Sequence, residues 1–135
     1  MNREKNIKNY ILNYIYAIIR AQVAKSLIGS GLFPLFGIHH KNMYNSLCLA
    51  DDIMEPFRPF ADSMIKRMLI DNPSLFAELE LSKTIRQTCL SILNYDVNYD
   101  GNRKPFQIAT QSVCAKLAQC YESKNPNILI YPEYE

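Results

Sequence analysis

The sequence predicts an all-α domain, and three observations carry that prediction. Apolar residues recur at helical spacing along most of the chain, from Ile7 to Val23, from Tyr44 to Met68, from Ile85 to Ile92 and from Phe106 to Cys120. The breaks between these stretches hold glycine, proline or asparagine, which end helices. Strand-like alternation is confined to a short extended excursion near 95–102.

The first stretch carries two apolar faces. Ile7, Ile11, Tyr14, Ile18 and Ala21 make one, and Tyr10, Leu12, Tyr16, Ile19 and Val23 the other, so this helix is expected to be central and covered on most sides. Arg20 is the charge in its middle, with a structural ion pair and a phosphate contact as the two readings. Gly29-Ser30-Gly31 ends the helix, because glycine takes the left-handed geometry of a C-terminus, and Pro34 stops it resuming. From Leu32 to Asn42 the chain should form an ordered loop punctuated by Pro34 and Gly37. Helical spacing returns near Tyr44 and runs through Leu47, Ile53, Phe57, Ala61, Met64 and Met68 to the turn Asp71-Asn72-Pro73. Pro56 and Pro59 interrupt it, since neither offers an N–H to the carbonyl four residues back; a kink, or a fresh helix starting at Pro56, is expected.

Ser74–Glu80 reads as a short helix capped by Ser74, and Ser82–Leu93 as a longer one capped by Ser82. Tyr95 to Tyr99 alternates and Asp100-Gly101-Asn102 is a turn, which predicts a small hairpin. The last helix spans about Pro105 to Tyr121, with Phe106, Ala109, Val113, Leu117 and Cys120 inward. The apolar tail Asn127–Pro132 is expected to dock on the body.

The 135 residues suit a single helical domain, 1–135, with enough apolar content for a core. A net charge of only +2 argues against non-specific coating of nucleic acid, so any DNA contact has to be local. Cys48, Cys89, Cys114 and Cys120 show neither CxxC pairs nor zinc-finger spacing and read as free thiols of a reducing cytoplasm. Asn13 and Arg20 interrupt the first apolar run well short of the roughly 20 residues of a membrane span, so a cytoplasmic location without membrane attachment is expected.

The chemistry concentrates between Gly37 and Pro59. His39 and His40 precede Asp51, Asp52 and Glu55, and Arg58 follows one turn later. Imidazole and carboxylate groups gathered in this way suit Mg²⁺ or Mn²⁺, and such an ion serves phosphodiester chemistry by polarising a phosphoryl oxygen. The acids lie among Leu49, Ile53, Met54 and Phe57, so burying their face demands a counter-charge or a cation. The other reading is an acid cluster at a helix start that complements the dipole, with Arg58 paired to Glu55 on the surface. Lys41, Arg58, Lys66 and Arg67 are candidates for a DNA phosphate-binding rim; for Lys66 and Arg67 a solvated face is the alternative. The nine tyrosines offer stacking surface for bases or, more simply, core-rim packing.

At these residues the sequence resembles the CRISPR-associated adaptation integrases, in the form that accompanies type II single-effector systems. The resemblance rests on Asn13-Tyr14 through Tyr16-Ala17-Ile18-Ile19-Arg20-Ala21, on Gly31-Leu32-Phe33-Pro34, on Gly37-Ile38-His39-His40, and on Leu49 through Pro59. Ile92-Leu93-Asn94-Tyr95 and Asp100-Gly101 extend it toward the C-terminus.

The resemblance implies the C-terminal helical part of a catalytic domain that inserts short foreign DNA into the array. The 3′-hydroxyl of the incoming DNA attacks an array phosphodiester in a metal-assisted transesterification, with the second-numbered Cas protein as partner. By position it assigns His40 and Glu55 as metal ligands and Asp52 as an acid that supports or shares the metal; His39 and Asp51 are neighbours of lesser weight. Family members also carry an N-terminal β-rich dimerisation domain and an earlier helix with a further glutamate ligand, both expected to lie before Met1. With that ligand set incomplete, the chain alone is expected to bind metal weakly and to show little integrase activity. It is also expected to self-associate through apolar surface. A non-catalytic helical interaction module and a DNA-binding piece without chemistry are the alternatives.

Overall fold

A computed structural model describes residues 3–32, 52–77, 80–123 and 130–133. Within them the protein is helical around one long central helix, with a single two-stranded hairpin, in agreement with the expected all-α class. The loop and helix start expected between Phe33 and Asp51 lie outside the described residues.

Helix α1 (Arg3–Gly29) buries Ile7, Ile11, Ile15, Ile18, Ile19, Val23 and Leu27. Each such aliphatic side chain contributes about 1.5–3 kcal/mol when removed from water. The inward face therefore runs through Ile15, whereas Tyr10 and Ala21, expected inward, are exposed. The chain leaves α1 by a paired C-terminal closure. Leu32 N–H donates to the Leu27 carbonyl at 2.9 Å and Gly31 N–H to the Ile28 carbonyl at 3.0 Å. Gly31 at φ 81° supplies the left-handed residue this closure needs, and Leu32 turns back onto the core.

Helices α2 (Arg58–Asp71), α3 (Lys83–Leu90) and α4 (Phe106–Ser123) all pack on α1. The inward residues of α2 are Phe60, Ala61, Met64, Ile65 and Met68, and it stops at Asn72 before Pro73 as its turn signal predicts. A buried polar knot ties α1 to α4. The Gln22 side-chain amide donates to Thr110 Oγ1 and to the Gln107 carbonyl, both at 3.2 Å, and lies 3.3 Å from Ser26 Oγ.

Two segments differ from expectation. Of the segment predicted as a helix over Ser74–Glu80, the described part up to Ala77 belongs to a 3₁₀ turn, Pro73–Ala77, which sinks Leu75 and Phe76 into the core. A segment this short gains too few α-type bonds to offset helix nucleation, and the tighter turn suffices. The predicted helix Ser82–Leu93 divides into α3 and a 3₁₀ turn, Ser91–Asn94. Its start is as expected, with Ser82 Oγ accepting from Ile85 N–H at 3.2 Å.

The hairpin pairs β1 (Asp96–Tyr99) antiparallel to β2 (Asn102–Pro105), with Tyr99 opposite Asn102. Asp100 and Gly101 both have positive φ, 50° and 81°, which is the two-residue turn whose twist matches that of the strands. Pro105 closes β2 rather than opening α4. Of the tail, Ile130 and Tyr131 pack against the core, and Glu133 exchanges two backbone hydrogen bonds with Asn98.

Candidate functional site

The site-bearing segment is built by the way the two prolines are absorbed. Residues 52–54 are helical, Glu55–Phe57 form a 3₁₀ turn, and α2 begins at Arg58. Pro56 and Pro59 each fall in the first two positions of their element, where a missing N–H costs nothing. The expected kink is thus a short 3₁₀ link, and the fresh α-helix starts at Arg58 instead of Pro56. Phe57, fully buried, anchors the link. Its ring meets Phe106 edge-on at 5.4 Å and Tyr131 at 6.0 Å, while Phe106 stacks on Phe60 at 4.2 Å.

This geometry separates the environments of two carboxylates only three residues apart. Asp52 is 9% exposed and flanked by buried Ile53 and Met54. It faces the end of α4, where the Tyr121 hydroxyl is held above its ordinary pKa by burial and by the Asp52 charge. Glu55 turns outward and accepts from Arg58 Nε at 3.0 Å, with the two side chains 51% and 47% exposed. The Arg58 guanidinium lies 5.1 Å over the Tyr16 ring, and the Tyr16 hydroxyl donates to Asp62 Oδ1 at 3.3 Å. Burial and then the Asp62 carboxylate raise the Tyr16 pKa. The surface pairing of Arg58 with Glu55, one of the two readings of the acid cluster, is therefore present. Tyr16 and Asp62 extend it into a relay of four side chains. No spacing rule links Tyr16 to Arg58, 42 positions apart, so only the packing of α1 on α2 could reveal the contact.

His39, His40, Lys41 and Asp51 lie outside the described residues. Among the described residues no three histidine, cysteine, aspartate or glutamate side chains form a metal-holding group. What the segment does offer is two carboxylates one helical turn apart, hard oxygen donors of the kind Mg²⁺ or Mn²⁺ takes. These are the described residues whose chemistry could hold such an ion; Asp52 faces inward and Glu55 is paired with Arg58.

The three described basic candidates do not share one face. Arg67 follows Arg58 by nine residues, half a turn round the helix. Its guanidinium lies 5.2 Å over the Tyr95 ring, beside the hairpin, in a shallow groove with Phe60, Ser63 and Arg103. Lys66 is exposed between the two. Arg58, Lys66 and Arg67 thus occupy successive positions round α2, and Lys41, the fourth basic candidate, lies outside the described residues. The thiols of Cys89 and Cys114 are buried, and burial pushes them up to about 11 and about 12, which leaves them inert. No helix among the described residues is long and apolar enough to cross a membrane.

The family described as CRISPR associated protein Cas1 matches residues 2–74, from the start of α1 through the carboxylate segment and α2. That is more than half of the sequence, and the chain belongs to this family. A protein of Neisseria meningitidis serogroup C (strain 8013) named CRISPR-associated endonuclease Cas1 is 32% identical over 130 residues, 96% of this chain and 42% of the relative. A protein of the same name from Korarchaeum cryptofilum (strain OPF8) is 34% identical over 100 residues, 70% of this chain and 29% of the relative. CRISPR-associated endonuclease Cas1 2 of Saccharolobus solfataricus is 38% identical over 61 residues, 45% of this chain and 20% of the relative. The chain thus spans less than half the length of these relatives.

Proposed function

We propose that this chain is the C-terminal catalytic lobe of a metal-dependent DNA endonuclease and integrase that acts in CRISPR spacer acquisition. The observation that carries the reading is the segment Asp52–Glu55, which sets one buried and one outward carboxylate a turn apart inside the stretch matched to the family. In this reading Asp52, Glu55 and His40 would hold Mg²⁺ or Mn²⁺. Such an ion supplies charge stabilisation to a phosphoryl oxygen and to the leaving oxygen of an array phosphodiester. The chain's own part is to orient the carboxylates that would hold the ion: the Phe57 anchor fixes the 3₁₀ link, and Arg58 neutralises Glu55. The 3′-hydroxyl of incoming DNA then displaces the 3′ oxygen of the array strand, conserving the number of phosphodiester bonds. DNA and the second-numbered Cas protein are the partners of the full-length assembly, and this lobe on its own is expected to be nearly inactive.

The pairing of Glu55 with Arg58 favours a second reading, in which the acid cluster serves only folding and the chain is a non-catalytic interaction or DNA-binding module. Calorimetric titration with Mn²⁺ separates the two. Saturable binding that disappears in the His40→Ala, Glu55→Ala double variant supports the catalytic lobe. Binding that is absent, or that ignores both substitutions, sinks it; salt-sensitive DNA binding in that case points to the module.

A further inference from the structure

Arg58 stands where its own helix does little to hold it. It is the first residue of α2, and the positive end of the helix dipole disfavours a cation there. Two carboxylates on the same face are within its reach, Glu55 three residues before it and Asp62 four residues after it, and both residues are exposed. Side-chain pairs at these two spacings differ little in strength, so the helix by itself leaves the choice between them nearly even. Arg58 nonetheless takes Glu55, with Nε 3.0 Å from Oε2.

Tyr16, reaching across from α1, accounts for that choice in two ways. Its ring lies under the guanidinium, 5.1 Å from the ring centroid to Cζ, and this contact fixes the plane of the fork. Its hydroxyl donates to Asp62 Oδ1 at 3.3 Å, so the competing carboxylate already has a donor. A phenylalanine would serve the first purpose equally well; the second needs the hydroxyl. Both ends of the contact are anchored. Tyr16 follows Ile15 and precedes Ile18 and Ile19, all buried, and Arg58 follows the fully buried Phe57.

We propose that Tyr16 is a positioning residue: by engaging Asp62 it commits Arg58 to Glu55, and so sets the fraction of time that the Glu55 carboxylate is open to another cation. The claim about Arg58 stands on the geometry alone, whereas its consequence for a divalent ion rests on the nuclease reading. Nuclear Overhauser contacts of the Arg58 Nε–H proton, recorded on the full chain, test the first. In the unmodified chain that proton should contact the Glu55 side chain. In Tyr16→Phe, which keeps the ring and the fold, the Glu55 contact should weaken to about half, with Asp62 taking the remainder. In an Asp62→Asn background the same Tyr16→Phe change should have no effect, because the competing charge is gone. Calorimetric titration with Mn²⁺ tests the second: Tyr16→Phe should raise affinity about twofold or more, and not in the Asp62→Asn background. Absence of the Glu55 contact in the unmodified chain, a contact indifferent to Tyr16→Phe, or an equal loss in the Asp62→Asn background overturns the proposal. An Mn²⁺ affinity that Tyr16→Phe leaves unchanged overturns its second half. If the unmodified chain binds no Mn²⁺, the nuclease reading fails, and the Arg58 contacts decide this proposal without it.

Discussion

Phe57→Ala tests the claim that aromatic packing holds the carboxylate segment in place. Phe57 is fully buried, so truncation removes its transfer energy and leaves a cavity, for a loss of about 3–5 kcal/mol. Part of that loss comes from the two edge-on ring contacts, to Phe106 at 5.4 Å and 87° and to Tyr131 at 6.0 Å and 70°; each contributes about 0.5–1.5 kcal/mol beyond area burial. Domains of this kind hold about 5–15 kcal/mol in total, so the variant should fold in water with a much reduced margin. In urea unfolding followed by far-UV circular dichroism, the midpoint should fall by about 2 M at a typical slope of about 2 kcal/mol/M. A double-mutant cycle with Phe106→Ala should return a coupling of about 1 kcal/mol. A midpoint that hardly moves, or a coupling indistinguishable from zero, refutes the idea that this ring cluster pins the 3₁₀ link.

Three further outcomes follow from the same geometry. Arg58→Gln removes a half-exposed pair, so stability should fall by less than about 1 kcal/mol. Mn²⁺ affinity should rise because Glu55 loses its competitor; a fall in the calorimetric titration contradicts the role given to Arg58. Gly101→Ala places a side chain at φ 81° and should cost about 1 kcal/mol in thermal unfolding, with no change in helical signal. Burial raises the Cys89 and Cys114 thiols from 9.0 to about 11 and about 12, so folding favours their protonated form. Their contribution is fully present below pH 9 and is lost as pH rises through about 11 to 12. At pH 8 neither should react with iodoacetamide until urea unfolds the chain, whereas labelling of both in the native state contradicts the burial.

Local rules made much of the fold legible. Asp100-Gly101 announces its turn because few other residue pairs accept two positive φ angles in succession. Ser82 announces α3 because a hydroxyl at that position satisfies an otherwise orphaned N–H. Gly31 likewise announces the end of α1. The faces of α1 were harder to read, because helical spacing alone supports both the buried row through Ile15 and the exposed row through Tyr14. The choice between them depends on which side α2, α3 and α4 occupy, which is not a property of α1.

The same division runs through the site. Sequence alone determined the presence of two carboxylates, Asp52 and Glu55, ahead of Arg58, and of two prolines that no continuous helix could absorb. Tertiary structure decided what became of them. Packing of Phe57 against Phe106 and Tyr131 fixed the link that turns Asp52 inward and Glu55 outward, and the approach of α1 put Tyr16 under Arg58. The reason is physical. Residue type and spacing set what a side chain can bind, whereas its partner and its solvent depend on contacts between segments far apart in the chain.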